Sequence, residues 1–379
     1  MIYLDNAATT YPKPKSVYDE TLSYMKTCGG NPGRGSHSLS LAAAQTVFET
    51  RSRVAAFFGS DSPESAVFTL NTTHALNTVI KGVLYHGDHA LISDLEHNSV
   101  YRPIYRLARE GVIKYSIFRS FAGKEHTDED ILNDISAKIT PRTRLLVCTH
   151  ASNICSEVLP IEMIGELCKR HGIFFCVDAA QSAGHMPIDV KGCHIDALCA
   201  PGHKGLYGPQ GCGIMLLSKK ITLKTLTEGG NGIKSLEGTM PDETPERYEA
   251  GTLPMPAIAG LGAAIREISE LTPERIHKHE TALFSYAADR LSEINGVKIY
   301  APNKEGSVIL FGIDGRSPDE LGEHLNSAGI CVRSGYHCAA LAHRALGTPI
   351  GGAVRASFGI YNTFDDVDAL CDAVKSAKK

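Results

Sequence analysis

No apolar run in this chain approaches the length of a membrane span, so no integral membrane segment is expected. The N-terminus, MIYLDNAATT, lacks the basic stretch and apolar core of a secretion signal. Charge of either sign is nearly balanced, 38 Lys and Arg against 42 Asp and Glu, for a net charge of −4. That balance gives no electrostatic reason to expect nucleic acid or an anionic membrane as partner. Neither G-x-G-x-x-G nor a Walker lysine loop occurs, so nucleotide-binding readings lack support. No two of the eleven cysteines are spaced C-x-x-C, which removes a zinc ribbon and a thioredoxin-type pair; no metal site is expected. Most of them, such as Cys148, Cys168 and Cys176, sit in apolar stretches and read as small buried hydrophobes. A reducing cytoplasm is the expected location.

What is present is a long soluble-type sequence. Its 379 residues exceed one ordinary core, so two domains, or one large domain with a smaller lobe, are expected. Apolar strand candidates alternate with helical patterns. Ala66–Leu70 reads as a strand and Thr73–Val83 as a helix; His89–Ser93 is followed by a helix over Val100–Arg109. Arg144–Thr149, Ile161–His171 and Ile173–Val177 repeat the step, with Gly172 where a helix C-cap belongs. The alternation predicts an α/β fold with a mostly parallel sheet covered by helices on both faces. Pro254 and Pro256 mark a turn or linker before a helical stretch at Ala257–Leu271. We therefore expect a large domain over residues 15–254. Residues 255–379, with 1–14, should form a smaller C-terminal α/β domain.

Sheets of this kind carry their active residues on loops just past the strands' carboxyl ends. Polar clusters fall there. Asp178 ends an apolar run, where a buried carboxylate needs a partner such as a protonated ring nitrogen; taken alone, a helix N-cap Asp is the better explanation. The loop Ala200–Gly211 holds four glycines and two prolines around His203 and Lys204. A lysine held there in low-dielectric surroundings has a depressed pKa suited to imine formation, unless it is only an exposed loop lysine. Asp178 lies 26 residues upstream, about one strand–helix–strand crossover, which favours the chemical reading. Asn71-Thr72-Thr73-His74 marks a strand-to-helix turn, which is either a phosphate site or an ordinary N-cap. In Arg333-Ser-Gly-Tyr-His-Cys338 the thiol is either activated by its neighbours or incidental. Arg355, inside an apolar run, requires an anion: a substrate carboxylate or a structural ion pair.

Taken in order, these clusters resemble the class V aminotransferase group of fold-type I pyridoxal-phosphate enzymes, most closely its cysteine desulfurases and selenocysteine lyases. The resemblance runs nearly end to end, from Tyr3-Leu4-Asp5-Asn6-Ala7-Ala8 through Glu96-His97, Val177-Asp178, Gly202-His203-Lys204 and Glu249-Ala250-Gly251-Thr252 to Arg333–Cys338 and Arg355–Thr363. It implies that Lys204 is the Schiff-base lysine, Asp178 the partner of the pyridine nitrogen and Gln181 that of the ring hydroxyl. His97 is similar to the histidine stacked on the ring. Thr72, Thr73 and His203 resemble phosphate ligands, and Thr252 the residue that reaches the neighbouring subunit's phosphate, which implies a homodimer. Asn153 and Arg355 resemble the substrate-carboxylate binders, with His37 and Arg333 lining the same pocket. Cys338 matches the cysteine that receives sulfur as a persulfide.

The implied activity is desulfuration of L-cysteine to L-alanine, with a sulfur-acceptor protein as a possible partner. Selenocysteine cleavage, with a selenium acceptor, is the alternative; a true aminotransferase and a non-catalytic scaffold are the remaining rivals. Four positions depart from the group's pattern: Pro201 where many relatives have a phosphate-binding serine, Gly205 as an insertion beside the lysine, Ser156 in place of a glycine, and Tyr336 in place of a histidine.

Overall fold

The computed structural model describes residues 1–33, 35–219, 221–301 and 306–377. Strand β1 (Ile2–Tyr3) precedes helices α1 (Lys15–Thr27) and α2 (Ser38–Phe57). The alternating part follows: β2 (Ala66–Thr69), α3 (Thr72–Val83), β3 (His89–Ser93), α4 (Asn98–Arg109), β4 (Lys114–Phe118), α5 (Asp128–Ser136), β5 (Thr143–Thr149), α6 (Ile161–His171), β6 (Phe174–Asp178), β7 (Ala197–Pro201) and β8 (Gly213–Leu217). Helices α7 (Met255–Leu271) and α8 (Pro273–Ser292) lead to β9 (Val297–Tyr300), β10 (Val308–Ile313) and α9 (Pro318–Ser327). The chain ends with β11 (Ile330–Cys331), β12 (Arg333–Gly335), α10 (Ala340–Leu346), β13 (Ala353–Ser357) and α11 (Phe364–Ser376).

Among the described residues the large sheet has seven strands in the order β2-β8-β7-β6-β5-β3-β4. Only β8 runs antiparallel to its neighbours, which is the mostly parallel sheet expected. Side chains alternate across it, as a two-residue period requires. Val67, Ala90, Ile92, Val147 and Cys176 pack in one apolar layer, and Phe68, Leu91, Leu146, Phe175 and Val177 in the other. Each fully buried side chain of this size contributes roughly 1.5–3 kcal/mol relative to exposure. Helix α6 stops at Gly172 because φ of +64° there suits a residue without Cβ.

Two expectations differ from what the chain does. No helix joins β6 to β7; residues 179–196 form successive turns, with Gly184 at φ +101° and Pro187 interrupting any helical run. The step from Asp178 to Lys204 is nonetheless one between adjacent parallel strands. The Pro254–Pro256 segment is a helix start, with Pro256 in the first turn of α7. That helix packs on α1 and α2 and places Ile258, Leu261 and Ile265 in the large sheet's core. The change of core falls inside α8: Ile276 still packs on the large core, whereas Leu283 and Phe284 join the smaller one.

The smaller core is built on the antiparallel sheet β12-β13-β10-β9 with α8, α9 and α11. The N-terminal segment belongs here: β1 pairs in parallel with β11, and Leu4 is wholly buried in this cluster. Among the described residues no helix is long and apolar enough to cross a membrane.

Candidate active site

The parallel strands deliver polar residues to one edge of the sheet. Past β2 come Asn71, Thr72 and Thr73; past β3, His97 and Ser99; past β5, Asn153. Asp178 ends β6, and His203 and Lys204 follow β7. These residues, with Thr149, Ala180, Gln181 and Pro201, line one cavity. Eight of the residues to which the resemblance gives a role at the site therefore share one cavity: Thr72, Thr73, His97, Asn153, Asp178, Gln181, His203 and Lys204.

Lys204 is half-buried, and desolvation of its amine, with Arg355 nearby, lowers it to about 8 despite the opposing pull of Asp178. Its loop is anchored from the N-terminal segment: Thr9 Oγ1 (3.1 Å), Thr10 Oγ1 (3.2 Å) and Lys13 Nζ (2.7 Å) all donate to the His203 carbonyl. Tyr207 closes the turn with φ +56° and its N–H on the Lys204 carbonyl at 2.7 Å. Gly205, the apparent insertion, is required by close approach. A Cβ there would lie 2.4 Å from the Ala183 carbonyl oxygen.

Asp178 is buried at the end of β6, and burial raises its carboxyl to about 6. One oxygen accepts the Ala180 N–H at 2.9 Å. A carboxyl at about 6 is still mostly ionised at neutral pH, and a cation beside it would favour that form further. Gln181 commits its amide nitrogen to the Ala7 carbonyl at 2.9 Å. In His97 the Nδ1 accepts the Ser99 N–H at 3.0 Å, so the ring's proton is on Nε2; burial lowers this imidazole to about 4 and keeps it neutral.

At the cavity's other side, Asn71 caps α3 by accepting the His74 N–H at 2.9 Å. The first helical bond is donated by Ala75 to the Asn71 carbonyl, so the N–H groups of Thr72 and Thr73 precede the helix's own ladder. Thr72 Oγ1 and His203 Nδ1 are buried and have no hydrogen-bond partner. Buried polar atoms left unpaired are costly, and an anion at a helix N-terminus would satisfy them. Pro201 lines the same cavity and brings no N–H donor. Pyridoxal phosphate fits this set: unpaired donors for a phosphate, a buried carboxylate for a cationic ring nitrogen, and a lysine of lowered pKa for its aldehyde.

The remaining candidates lie outside the cavity. His37 is exposed and caps α2, its Nδ1 accepting the Ser40 N–H at 3.3 Å. Thr252 is exposed. Cys338 is exposed on the turn after β12, where His337 and Cys338 both hold φ near +50°. That turn is tied to the cavity twice. Asn153 Nδ2 donates to the His337 carbonyl at 2.9 Å, and the Asn98 N–H donates to the Cys338 carbonyl at 2.8 Å. Tyr336 accepts the Gly351 N–H at 2.9 Å. Arg333 and Arg355 are not among the residues lining that cavity; both hold Asp5. A structural ion pair with Asp5 is thus present, and it leaves Arg355 Nε without a partner.

Sequence reasoning did not single out Asp5, Ser99 or the role of Glu96. Glu96 is wholly buried, accepts the Thr149 N–H at 2.8 Å and the Ser93 hydroxyl, and leaves its second oxygen unpaired. Burial, with the charge of Asp178, raises its carboxyl to about 8. Its place in the Glu96-His97 pair was the available signal.

The profile of the family described as Aminotransferase class-V matches residues 2–370. The chain belongs to this family. It is 35% identical to the probable cysteine desulfurase of Methanothermobacter thermautotrophicus, over 99% of this chain and 94% of that protein. It is also 35% identical to the cysteine desulfurase of Yersinia pseudotuberculosis, over 100% and 94%. Among solved structures it resembles the apo cysteine desulfurase from Thermococcus onnurineus NA1 with a TM-score of 0.89 at 35% identity, over 99% and 94% of the two chains. The Escherichia coli cysteine desulfurase CsdA superposes with a TM-score of 0.87 at 26% identity, over the same shares. The class-V family member described here thus has the fold-type I architecture expected.

Proposed function

We propose that this chain is a pyridoxal-phosphate-dependent cysteine desulfurase. In this reading L-cysteine and the thiol of Cys338 give L-alanine and a Cys338 persulfide. The observation that carries it is the exposed Cys338 on a strained turn whose backbone is bonded to Asn153 and Asn98 at the cavity rim. The names of the relatives support the same activity.

The bound cofactor supplies an electron sink for the bonds at the substrate's Cα. Lys204 would hold it covalently through Nζ and, once released, take the Cα proton; an amine near 8 does both at neutral pH. Asp178 would keep the ring nitrogen protonated. Neutral His97, with Nε2–H toward the cavity, would cover the ring and orient it. Thr72, Thr73 and His203 would hold the phosphate. Cys338, as thiolate, would attack the substrate sulfur; the Cβ–S bond breaks, its electron pair stays with Cβ, and Cβ takes up one proton to become alanine's methyl group, which balances the proton given up by the thiol.

We further propose a homodimer. Thr252 lies outside its own chain's cavity, and α2 exposes Leu41 and Phe48 on one face, an apolar pair suited to a subunit contact. Eleven free cysteines suit a reducing compartment, and an acceptor protein would take sulfur from exposed Cys338.

The test is product analysis on pyridoxal-phosphate-loaded protein given L-cysteine or L-selenocysteine, with Cys338→Ala alongside. Alanine from cysteine that disappears in the variant is the expected result. Alanine only from selenocysteine would make the protein a selenocysteine lyase, and none from either would overturn the reading.

A further inference from the structure

The Tyr3-Leu4-Asp5-Asn6 segment has no part in the chemistry above, yet its carboxylate holds both arginines of the C-terminal motifs. Arg333 and Arg355 stand directly opposite each other on β12 and β13. Like charges in that register repel. Asp5 resolves the conflict. The N-terminal segment crosses these strands, with the Ser357 N–H on the Leu4 carbonyl at 2.8 Å and the Ala7 N–H on Ser357 Oγ at 2.9 Å. Arg333 Nε donates to both Asp5 oxygens, at 3.2 and 3.1 Å, and its Nη2 to Oδ2 at 2.8 Å. Arg355 Nη2 donates to Oδ1 at 2.9 Å. One carboxylate therefore takes four charge-assisted bonds from two guanidiniums, and the trio keeps one net positive charge.

The three side chains are graded in depth. Arg355 is 3% exposed, Asp5 12% and Arg333 50%. Arg355 Nη1 donates to the carbonyl of Asn153, which lines the cavity, at 3.1 Å. Its Nε is buried and without a partner. The inner guanidinium is thus oriented from two sides while one donor stays free.

We propose that Asp5 is a specificity-determining residue: the resident counter-ion that holds this site at one net positive charge, matched to a single monoanionic α-carboxylate and poor for polyanions. This rests on the reading of Arg355 as the carboxylate-binding residue of the proposed reaction. Without Asp5, two uncompensated guanidiniums would face each other, and a dianion would replace the missing charge. Sulfate is the simplest such probe.

The experiment titrates sodium sulfate against L-cysteine turnover by the holoenzyme at constant ionic strength, with sodium chloride as the monoanion control. Sulfate binding to the holoenzyme is measured in parallel by calorimetry. In Asp5→Asn the sulfate inhibition and binding constants should fall at least about tenfold relative to wild type, about 1.4 kcal/mol. The double variant Asp5→Asn/Arg333→Gln restores one net positive charge and should return both constants to within about threefold of wild type. A merely structural role for Asp5 would loosen the single variant without tightening its hold on sulfate. Unchanged sulfate binding in Asp5→Asn, or a double variant as sensitive as the single one, overturns the proposal. Should Asp5→Asn not fold, Arg333→Gln decides alone: with Asp5 kept, the site is neutral, and KM for cysteine should rise about tenfold with kcat within about threefold. An unchanged KM overturns the proposal. Wild type that releases no alanine would overturn the functional reading instead, and the calorimetric arm would still judge Asp5.

Discussion

Ser156 is where the chain breaks a local rule, and the cost of that break can be measured. Its φ is +55°, a left-handed conformation that costs a side chain with Cβ roughly 1–2 kcal/mol. Its hydroxyl offsets the cost by bonding Val308 twice, accepting from the N–H at 2.8 Å and donating to the carbonyl at 2.7 Å. Val308 is buried at the start of β10, so these bonds tie the loop bearing Asn153 to the smaller lobe. Ser156→Ala keeps the strain and removes both bonds. At about 1–1.5 kcal/mol each, more where the buried backbone groups stay unpaired, the loss is about 2–4 kcal/mol. Ser156→Gly loses the same bonds but relieves the strain, so it should be about 1 kcal/mol more stable than the alanine variant. Chemical denaturation of the three proteins gives the order serine, glycine, alanine. An alanine variant within about 0.5 kcal/mol of wild type, or above glycine, would refute the clamp.

Glu96→Gln should gain stability relative to wild type as pH rises. Burial holds the Glu96 carboxyl protonated in the fold up to about 8 against an ordinary 4.5, so its contribution is complete below 4.5 and is lost as pH rises through about 8. Urea titrations of the apo-proteins between pH 5 and 9 test this; a pH-independent difference rules it out. Gly205→Ala drives a Cβ against the Ala183 carbonyl and should cost about 1–3 kcal/mol by shifting the Lys204 turn. Thermal unfolding and the yield of cofactor absorbance report it, and undiminished values of both would count against the packing argument. Asn71→Ala removes the α3 cap and should cost about 1 kcal/mol, with weaker cofactor retention on dialysis. Retention equal to wild type would separate the cap from the phosphate end of the site.

Local pattern made much of the architecture legible. The runs at His89–Ser93 and Ile161–His171 are bounded as their periodicity predicts, because apolar residues there fill two layers at once and turn residues stop them. The turns of residues 179–196 were not legible, since about one crossover of sequence fits a helix or a coil equally well. Nor was the allegiance of α7. Its apolar face is visible in the sequence, but what that face packs on, α1 and α2, is decided by elements more than 190 residues earlier, beyond the reach of periodicity.

The arginines show the same boundary inside the site. A guanidinium in an apolar strand demands an anion, and the sequence presents that demand at Arg355 without saying whether a ligand or the chain meets it. The answer depends on strand pairing. Only when β12 lies beside β13 do Arg333 and Arg355 face one another, and only then is a carboxylate between them required. Asp5 fills that place from 350 residues away. Its own sequence neighbours give it no charged partner, so nothing local marks it as a counter-ion. Chemistry that rests on one residue type, such as a lysine in a glycine-rich turn, leaves a local trace. Chemistry that rests on the sum of charges from three distant segments leaves none until the sheet is assembled. The net charge of the carboxylate site belongs to the second kind, which is why a charge-restoring pair of substitutions tests it more directly than any single change.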